Sequence, residues 1–185
     1  MSVIHRSTTN VDLPSGTWNI DPSHSAVEFS VRHLVGKVRG QFKSFSGTIE
    51  VGGDSLASRV EASIDLASVD TGDEKRDAHL RSPEFFDVEN NPSMTFRSTK
   101  VRANGDGYTV VGDLSLRGVN RSVELDLDFN GISPDPWGGL RAGFTATTEL
   151  SRKDFGLEWN VALEAGGLMV GDKVKVTLEI EAVLV

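Results

Sequence analysis

Val174-Lys175-Val176-Thr177-Leu178-Glu179-Ile180-Glu181-Ala182 decides the reading of the fold. Every second residue is apolar and those between are Lys, Thr or Glu. Only an extended chain sorts such a run into one face for a core and one for water, because side chains alternate across a strand but recur every 3.6 residues on a helix. Working back along the chain, the same period returns. Phe144, Ala146, Thr148 and Leu150 share a face after a Pro- and Gly-rich loop, and Val123, Leu125, Leu127 and Phe129 alternate with Glu124, Asp126 and Asp128. Tyr108, Val110, Gly112, Leu114 and Leu116 form another face between two turn signals, Asn104-Gly105-Asp106-Gly107 and Arg117-Gly118-Val119-Asn120.

Further upstream, Met94 and Phe96 begin a strand that ends near Val101, and Val60, Ala62, Ile64 and Leu66 face away from Glu61, Ser63 and Asp65. A strand over Val38 to Val51 is long enough to bend. It carries Phe45, Ile49 and Val51 in phase, with Gly40 and Gly47 as sites for a bulge or kink. The first long strand sets Val27, Phe29, Val31 and His33 opposite Glu28, Ser30 and Arg32. The count reaches about eight strands, each with one apolar face, which makes the protein all-β.

A sheet with one apolar face must cover it with a second sheet or close on itself. Small inward residues favour closure into an extended antiparallel eight-stranded barrel around a ligand: Ala62, Gly112, Ala146 and Thr148 leave room beside the aromatics. The predicted lining is Phe29, Val31, His33, Phe42, Phe45, Ile49, Met94, Phe96, Leu114, Leu116, Phe144, Val176 and Leu178. The competing reading makes the same residues an ordinary packed core.

One segment, near residues 71–87, breaks the β pattern. Thr71-Gly72-Asp73-Glu74 reads as a capping box at the start of a short helix. Acidic Asp73 and Glu74 lie in its first turn and His79 and Arg81 near its end, before Ser82-Pro83 stops it. Ser82 is then placed to cap a second turn through Phe85-Phe86. The insert is expected to lie over one mouth of the barrel.

The 185 residues suit one barrel domain, over 17–185, after a flexible segment over 1–16. Nineteen basic against 27 acidic residues give a net charge of -8, which repels a phosphate backbone, so nucleic acid is not an expected partner. The absence of cysteine excludes disulfides, thiolate nucleophiles and cysteine-ligated zinc. No run has the length and apolarity of a transmembrane helix. Met1 to Asn10 is polar with no apolar stretch of signal-peptide length, which favours a cytoplasmic location, or a periplasmic or secreted one if a leader was removed.

Several phrases resemble the YceI-like family of polyisoprenoid-binding, lipocalin-like proteins. They are Trp18-Asn19-Ile20-Asp21-Pro22-Ser23-His24-Ser25, Val31-Arg32-His33-Leu34, Gly40-Gln41-Phe42-Lys43-Ser44-Phe45-Ser46-Gly47 and Ser68-Val69-Asp70-Thr71. Arg76-Asp77-Ala78-His79-Leu80, Phe85-Phe86-Asp87 and Gly112-Asp113-Leu114-Ser115-Leu116-Arg117-Gly118-Val119 follow in order. Ser151-Arg152-Lys153-Asp154-Phe155-Gly156 and Gly171-Asp172-Lys173-Val174 complete a match over nearly the whole chain. The resemblance implies a lipocalin-like barrel whose pore holds a long isoprenoid or similar lipid tail, often in a homodimer. Many relatives from Gram-negative bacteria carry an export signal; this sequence shows none.

Among polar candidates, His24, His33 and His79 with Asp21 or Asp77 are the residues from which a metal or acid–base site would be built. No His-x-His or His-Glu-x-x-His pair occurs, so structural hydrogen bonding is the favoured role and neither metal nor cofactor is expected. His33 shares the apolar face of its strand and meets either a polar neighbour or a lipid head group. Arg76, Asp77 and His79 are either a clasp holding the insert over the mouth, with Arg76 paired to a carboxylate, or head-group contacts. Arg152, Lys153 and Asp154 are expected to fix a strand end.

The leading function is binding of a long-chain isoprenoid for carriage, storage or sequestration. One alternative is an enzyme acting on a bound isoprenoid or quinone, with His33 or His79 beside a carboxylate. Another is a structural or stress protein with a solid barrel.

Overall fold

The terminal strand identified by its alternation, β11 (Val170–Leu184), is the spine of the computed structural model, which describes residues 13–185. The segment expected to be flexible, 1–16, falls almost wholly outside the described residues. On one side β11 pairs with β10 (Leu140–Ser151), from Arg141 opposite Val183 to Ser151 opposite Lys173. On the other it takes two shorter segments in succession, β1 (Gly16–Ile20) and β2 (Ala26–His33): Trp18 faces Leu184, and Val27 faces Leu178.

The remaining strands are β3 (Gly36–Phe42), β4 (Phe45–Val51), β5 (Arg59–Asp65), β6 (Val69–Asp70), β7 (Ser93–Asn104), β8 (Gly107–Leu116) and β9 (Val119–Pro134). Antiparallel pairing runs β1-β4-β5-β7-β8-β9-β10-β11 and returns to β1, which closes an eight-stranded barrel and leaves that ring without an edge. β2, β3 and β6 extend β1, β4 and β5 past a shared break. There the register slips: Trp18 faces Ile49 below it and Val27 faces Phe42 above it.

The break is built from short polar side chains. Asp21 accepts from Ser23 N–H and turns the chain through Pro22–His24, where proline has no N–H for the ladder. Ser44 N–H donates to Ser68 Oγ at 3.0 Å, Lys43 N–H to Ser68 O at 3.2 Å and Asp65 N–H to Ser44 O at 2.9 Å. The strand expected over Val38 to Val51 is therefore two segments, and its bend lies at Lys43-Ser44. Gly40 and Gly47 stay in regular pairing; their missing Cβ atoms make room for the Phe29 ring and the Ile20 side chain.

α1 (Glu74–Arg81) follows β6. Its cap is Asp73, which accepts from Arg76 N–H at 3.1 Å, and the expected Thr71/Glu74 box does not form. Gly72, at φ +80°, carries the chain past Thr71, whose hydroxyl donates to Asp77 instead. Ser82 likewise ends α1: its amide and hydroxyl both donate to His79 O, so its side chain is not free to cap a second turn. A turn nonetheless follows through Phe85 N–H to Ser82 O. Apolar packing divides between a cluster around Leu66, Val69, Leu116 and Phe155, near α1, and one around Trp18, Ala142 and Ala182.

Candidate ligand-binding tunnel

Because alternate residues of every barrel strand point inward, the interior wall is set by the same periodicity that sets the fold. It encloses two compartments that share Met94, Leu150 and Val176. The inner compartment, about 200 Å³, is walled almost entirely by carbon, including Phe45, Ile49, Phe96, Leu114, Phe144 and Leu178. It reaches the β4–β5 connection at Ser55 and Ser58. Ala62, Ala146 and Thr148 border it as small inward residues should. Gly112 does not: the Phe96 ring fills the space beside it, so this glycine accommodates an aromatic and opens no cavity.

The outer compartment is about 430 Å³, within the ~300–1,000 Å³ of pockets that hold small molecules. Phe29, Val31, His33 and Phe42 come to it from β2 and β3, Leu116 from β8, and Arg76 and His79 from α1. Every residue predicted to line the interior thus borders one compartment or the other. Asp77 borders neither. It is buried, and its carboxylate accepts from Thr71 N–H at 2.9 Å and from the Thr71 hydroxyl at 2.6 Å. Arg76 is held by the same threonine, donating to its hydroxyl at 2.7 Å and its carbonyl at 2.9 Å, and not by a carboxylate as expected. Arg76, Thr71 and Asp77 together fix α1 over the mouth.

His79 stands edge-on to Phe85 and Trp159, with ring centroids 5.0 and 4.7 Å away, and its Nε2 contacts the Glu84 carboxylate. His33 makes no side-chain hydrogen bond among the described residues. The β10–β11 connection supplies lining residues the sequence reading missed, Phe155, Leu157, Trp159 and Met169, and the helical insert adds Leu80, Phe85 and Phe86. The connection has no periodicity to betray its inward residues; beyond the Ser151-to-Gly156 phrase, its signal is apolar content between polar strands.

Arg152 anchors that connection. Its guanidinium is buried in the compartment wall and donates to Gly171 O at 2.8 Å, Leu157 O at 3.0 Å and Trp159 O at 3.2 Å. Burial lowers its pKa, which the nearby Asp172 charge opposes. Asp172 accepts from the Ser151 hydroxyl at 2.6 Å and Lys153 N–H at 3.1 Å, and these bonds hold its carboxyl below the usual range. The Ser151-to-Asp154 phrase therefore fastens the end of β10 to β11. With His33, Lys75, Arg76, His79 and Arg152 against Asp73, the outer compartment gathers basic groups in a chain of net charge -8.

At the other end of the barrel, Asp21, His24 and Glu181 stand close enough to share a metal ion. That position already holds a cation. Arg141 Nη1 is 2.8 Å from both Asp21 and Glu181, and its Nε donates to Asp135 at 3.2 Å. His24 Nδ1 lies 2.8 Å from Asp21. Arg141, then Ser23 and His24, hold the Asp21 carboxyl far below the usual carboxylate range. Hydrogen bonding to all three carboxylates, Asp21 first, raises the Arg141 pKa.

Comparison with known proteins agrees with this architecture. The family model described as YceI-like domain matches residues 18–182. A UPF0312 protein of Serratia proteamaculans is 46% identical over 136 residues, covering 72% of this chain and 71% of its own. One from Staphylococcus epidermidis is 38% identical over 161 residues, covering 85% and 92%. Among solved structures, BcnA of Burkholderia cenocepacia superposes with a TM-score of 0.75 at 22% identity, over 88% of this chain and 98% of that one. A polyisoprenoid binding domain from Saccharophagus degradans, implicated in plant cell wall breakdown, gives 0.69 at 19% identity, over 91% and 98%. At these identities the structures speak to the fold.

Proposed function

The chain belongs to the YceI-like family, and from that premise we propose that it binds one long-chain isoprenoid or similar lipid inside the barrel, its tail running through the outer compartment into the inner one and its polar head beside the basic groups of the outer one. The observation that carries this reading is one mostly apolar interior in two linked compartments, with basic side chains bordering only the outer one. The apolar side chains that run through both compartments suit a long tail, and the basic side chains bordering the outer one suit a polar head. The polyisoprenoid-binding neighbour in Saccharophagus degradans supports the same ligand class.

Tail burial dominates the energetics. Each buried methylene contributes about 0.8 kcal/mol, whereas an exposed head-group ion pair contributes about 0–1 kcal/mol. Ordering of the tail opposes part of this gain, so affinity rises with chain length less steeply than carbon count. The protein acts as a carrier or store and not as a catalyst. In support, the carboxylate that His79 meets, Glu84, is exposed and borders neither compartment, Asp77 is committed to the α1 clasp, and His33 has no carboxylate partner among the described residues.

Native mass spectrometry of gently purified protein tests the proposal. A co-purified prenyl lipid at one copy per chain is the expected result. Protein that is consistently empty and takes up neither prenyl alcohols nor quinones would sink it.

A further inference from the structure

We propose that the β2–β3 hairpin tip docks the protein onto an anionic lipid bilayer, with the tunnel mouth facing the membrane. The tip is Leu34-Val35. Leu34 is 44% exposed and Val35 fully so. Leu34 also takes φ +51°, a left-handed conformation that Gly, Asn or Asp adopts at far less cost. A hairpin tip selected only for folding would carry those residues; Leu-Val gives up turn chemistry, and Val35 gains no burial within the chain.

Two more exposed apolar residues join the tip. Leu34 N–H donates to Met169 O and Met169 N–H to Val161 O, each at 2.9 Å, while Arg32 Nη2 reaches Leu168 O at 3.4 Å. Leu34, Val35, Val161 and Leu168 therefore form one apolar rim. Its neighbours in the chain, His33, Met169 and Val170, line the outer compartment. The rim and the mouth are one feature.

Charge identifies the occupant. Arg32 faces Lys37 across the hairpin, and Ser30 faces Arg39 on one side and Lys175 on the other. Four cations thus stand on the outer face of three adjacent strands, and none is in an ion pair among the described residues. Glu28, farther from the tip, is the acid on that face of β2; Glu149 of β10 stands opposite Lys175 but is paired with Lys173, and Glu158 and Glu164 belong to the β10–β11 connection. A basic strip beside an apolar tip suits a surface of anionic head groups over acyl chains, each Lys or Arg contributing about fivefold to binding. A second copy docking by the same face would set this strip against its twin, and like charges would oppose it. Use of the docked state to load or release cargo rests on the lipid-binding reading; docking itself does not.

The test is co-sedimentation of the full chain with phosphatidylcholine vesicles containing phosphatidylglycerol, and with pure phosphatidylcholine, at low and high salt. Binding is expected to the mixed vesicles and to weaken with salt as screening shortens the reach of the strip. Leu34→Asn with Val35→Ser eases the turn while deleting the apolar tip, so it should keep the fold by circular dichroism and lose at least tenfold in binding. Lys37→Glu with Arg39→Glu should lose more than tenfold, and Trp137→Ala, on the exposed β9–β10 turn at the opposite end, should change nothing. Wild-type protein that ignores anionic vesicles, a tip variant that binds as wild type, or loss on Trp137→Ala overturns the proposal. A dimer in solution that the tip variant dissociates would overturn it too, assigning the face to a second copy. Mass spectrometry of the same samples separates the two readings: vesicle binding by lipid-free protein leaves docking standing and carriage lost, and lipid-loaded protein blind to vesicles does the reverse.

Discussion

Asp21 and Arg141 meet at 2.8 Å across 120 residues of sequence, joining the β1–β2 break to the start of β10. The pair predicts an acid limb of stability. Because the folded Asp21 carboxyl titrates far below its ordinary value of 3.8, the unfolded chain binds more protons as pH falls through about 4. Its contribution is full above that pH and lost progressively below it. Asp21→Asn is expected to cost about 1 kcal/mol at neutral pH, a Tm drop of about 2–4 °C. It should also flatten the fall in stability between about pH 4 and pH 2, read by thermal unfolding across that range. An unchanged pH profile would contradict the assignment.

Asp77 makes a second prediction, which separates clasp from head-group contact. Asp77→Ala leaves the Thr71 amide and hydroxyl without their acceptor and should destabilise by about 2–3 kcal/mol. Asp77→Asn keeps one acceptor oxygen and should cost less. In both variants hydrogen exchange is expected to rise over 71–81 first, and bound lipid to exchange faster, because α1 lies over the mouth. Loss of lipid affinity with unchanged exchange in α1 would instead make Asp77 a ligand contact.

These residues also mark where sequence reading stops. The barrel was legible because alternation is a local property: β8, β9, β10 and β11 each announce their inner face in consecutive residues. The break near Lys43-Ser44 was not, since it depends on Ser68, a partner distant in sequence that no window contains. Thr71 and Ser82 misled for a related reason: each has the residue type of a cap, but Asp77 and His79 O claimed their hydroxyls. Gly112 read as space because a missing side chain looks alike whether a ligand or Phe96 fills the gap. Phe155, Leu157, Trp159 and Met169 reach the compartment from an irregular connection, where neither period applies.

Filling the inner compartment should abolish tail binding without unfolding the barrel. Ala146, between Leu127 and Leu178 in the sheet, borders that compartment. Ala146→Phe places a ring where a tail would lie, and overpacking is expected to cost about 1–3 kcal/mol at most because space exists to receive it. Uptake of a prenyl probe, followed by native mass spectrometry, should fall at least tenfold while circular dichroism stays that of the parent. Ser133→Ala, on the exposed β9 end, serves as the control. Equal uptake by Ala146→Phe would place the ligand elsewhere.

Arg152 distinguishes a hydrogen-bonding role from a purely electrostatic one. Its Nε and Nη1 satisfy three carbonyls pointing in different directions, from Gly171, Leu157 and Trp159, and a fork is needed to reach them. Lysine has the charge without the fork, and methionine has the stem without either. If geometry is what matters, Arg152→Lys and Arg152→Met should both destabilise by about 2–4 kcal/mol, since each leaves buried carbonyls unpaired. Exchange should then rise over 155–171 in both variants. If the charge in the outer compartment matters as well, head-group selectivity separates them: Arg152→Lys keeps the parent's preference between an anionic prenyl phosphate and the neutral prenyl alcohol, and Arg152→Met loses it. Competition between those two probes, measured on variants that remain folded, reads the difference directly. Identical preference in all three proteins would confine Arg152 to fastening the connection.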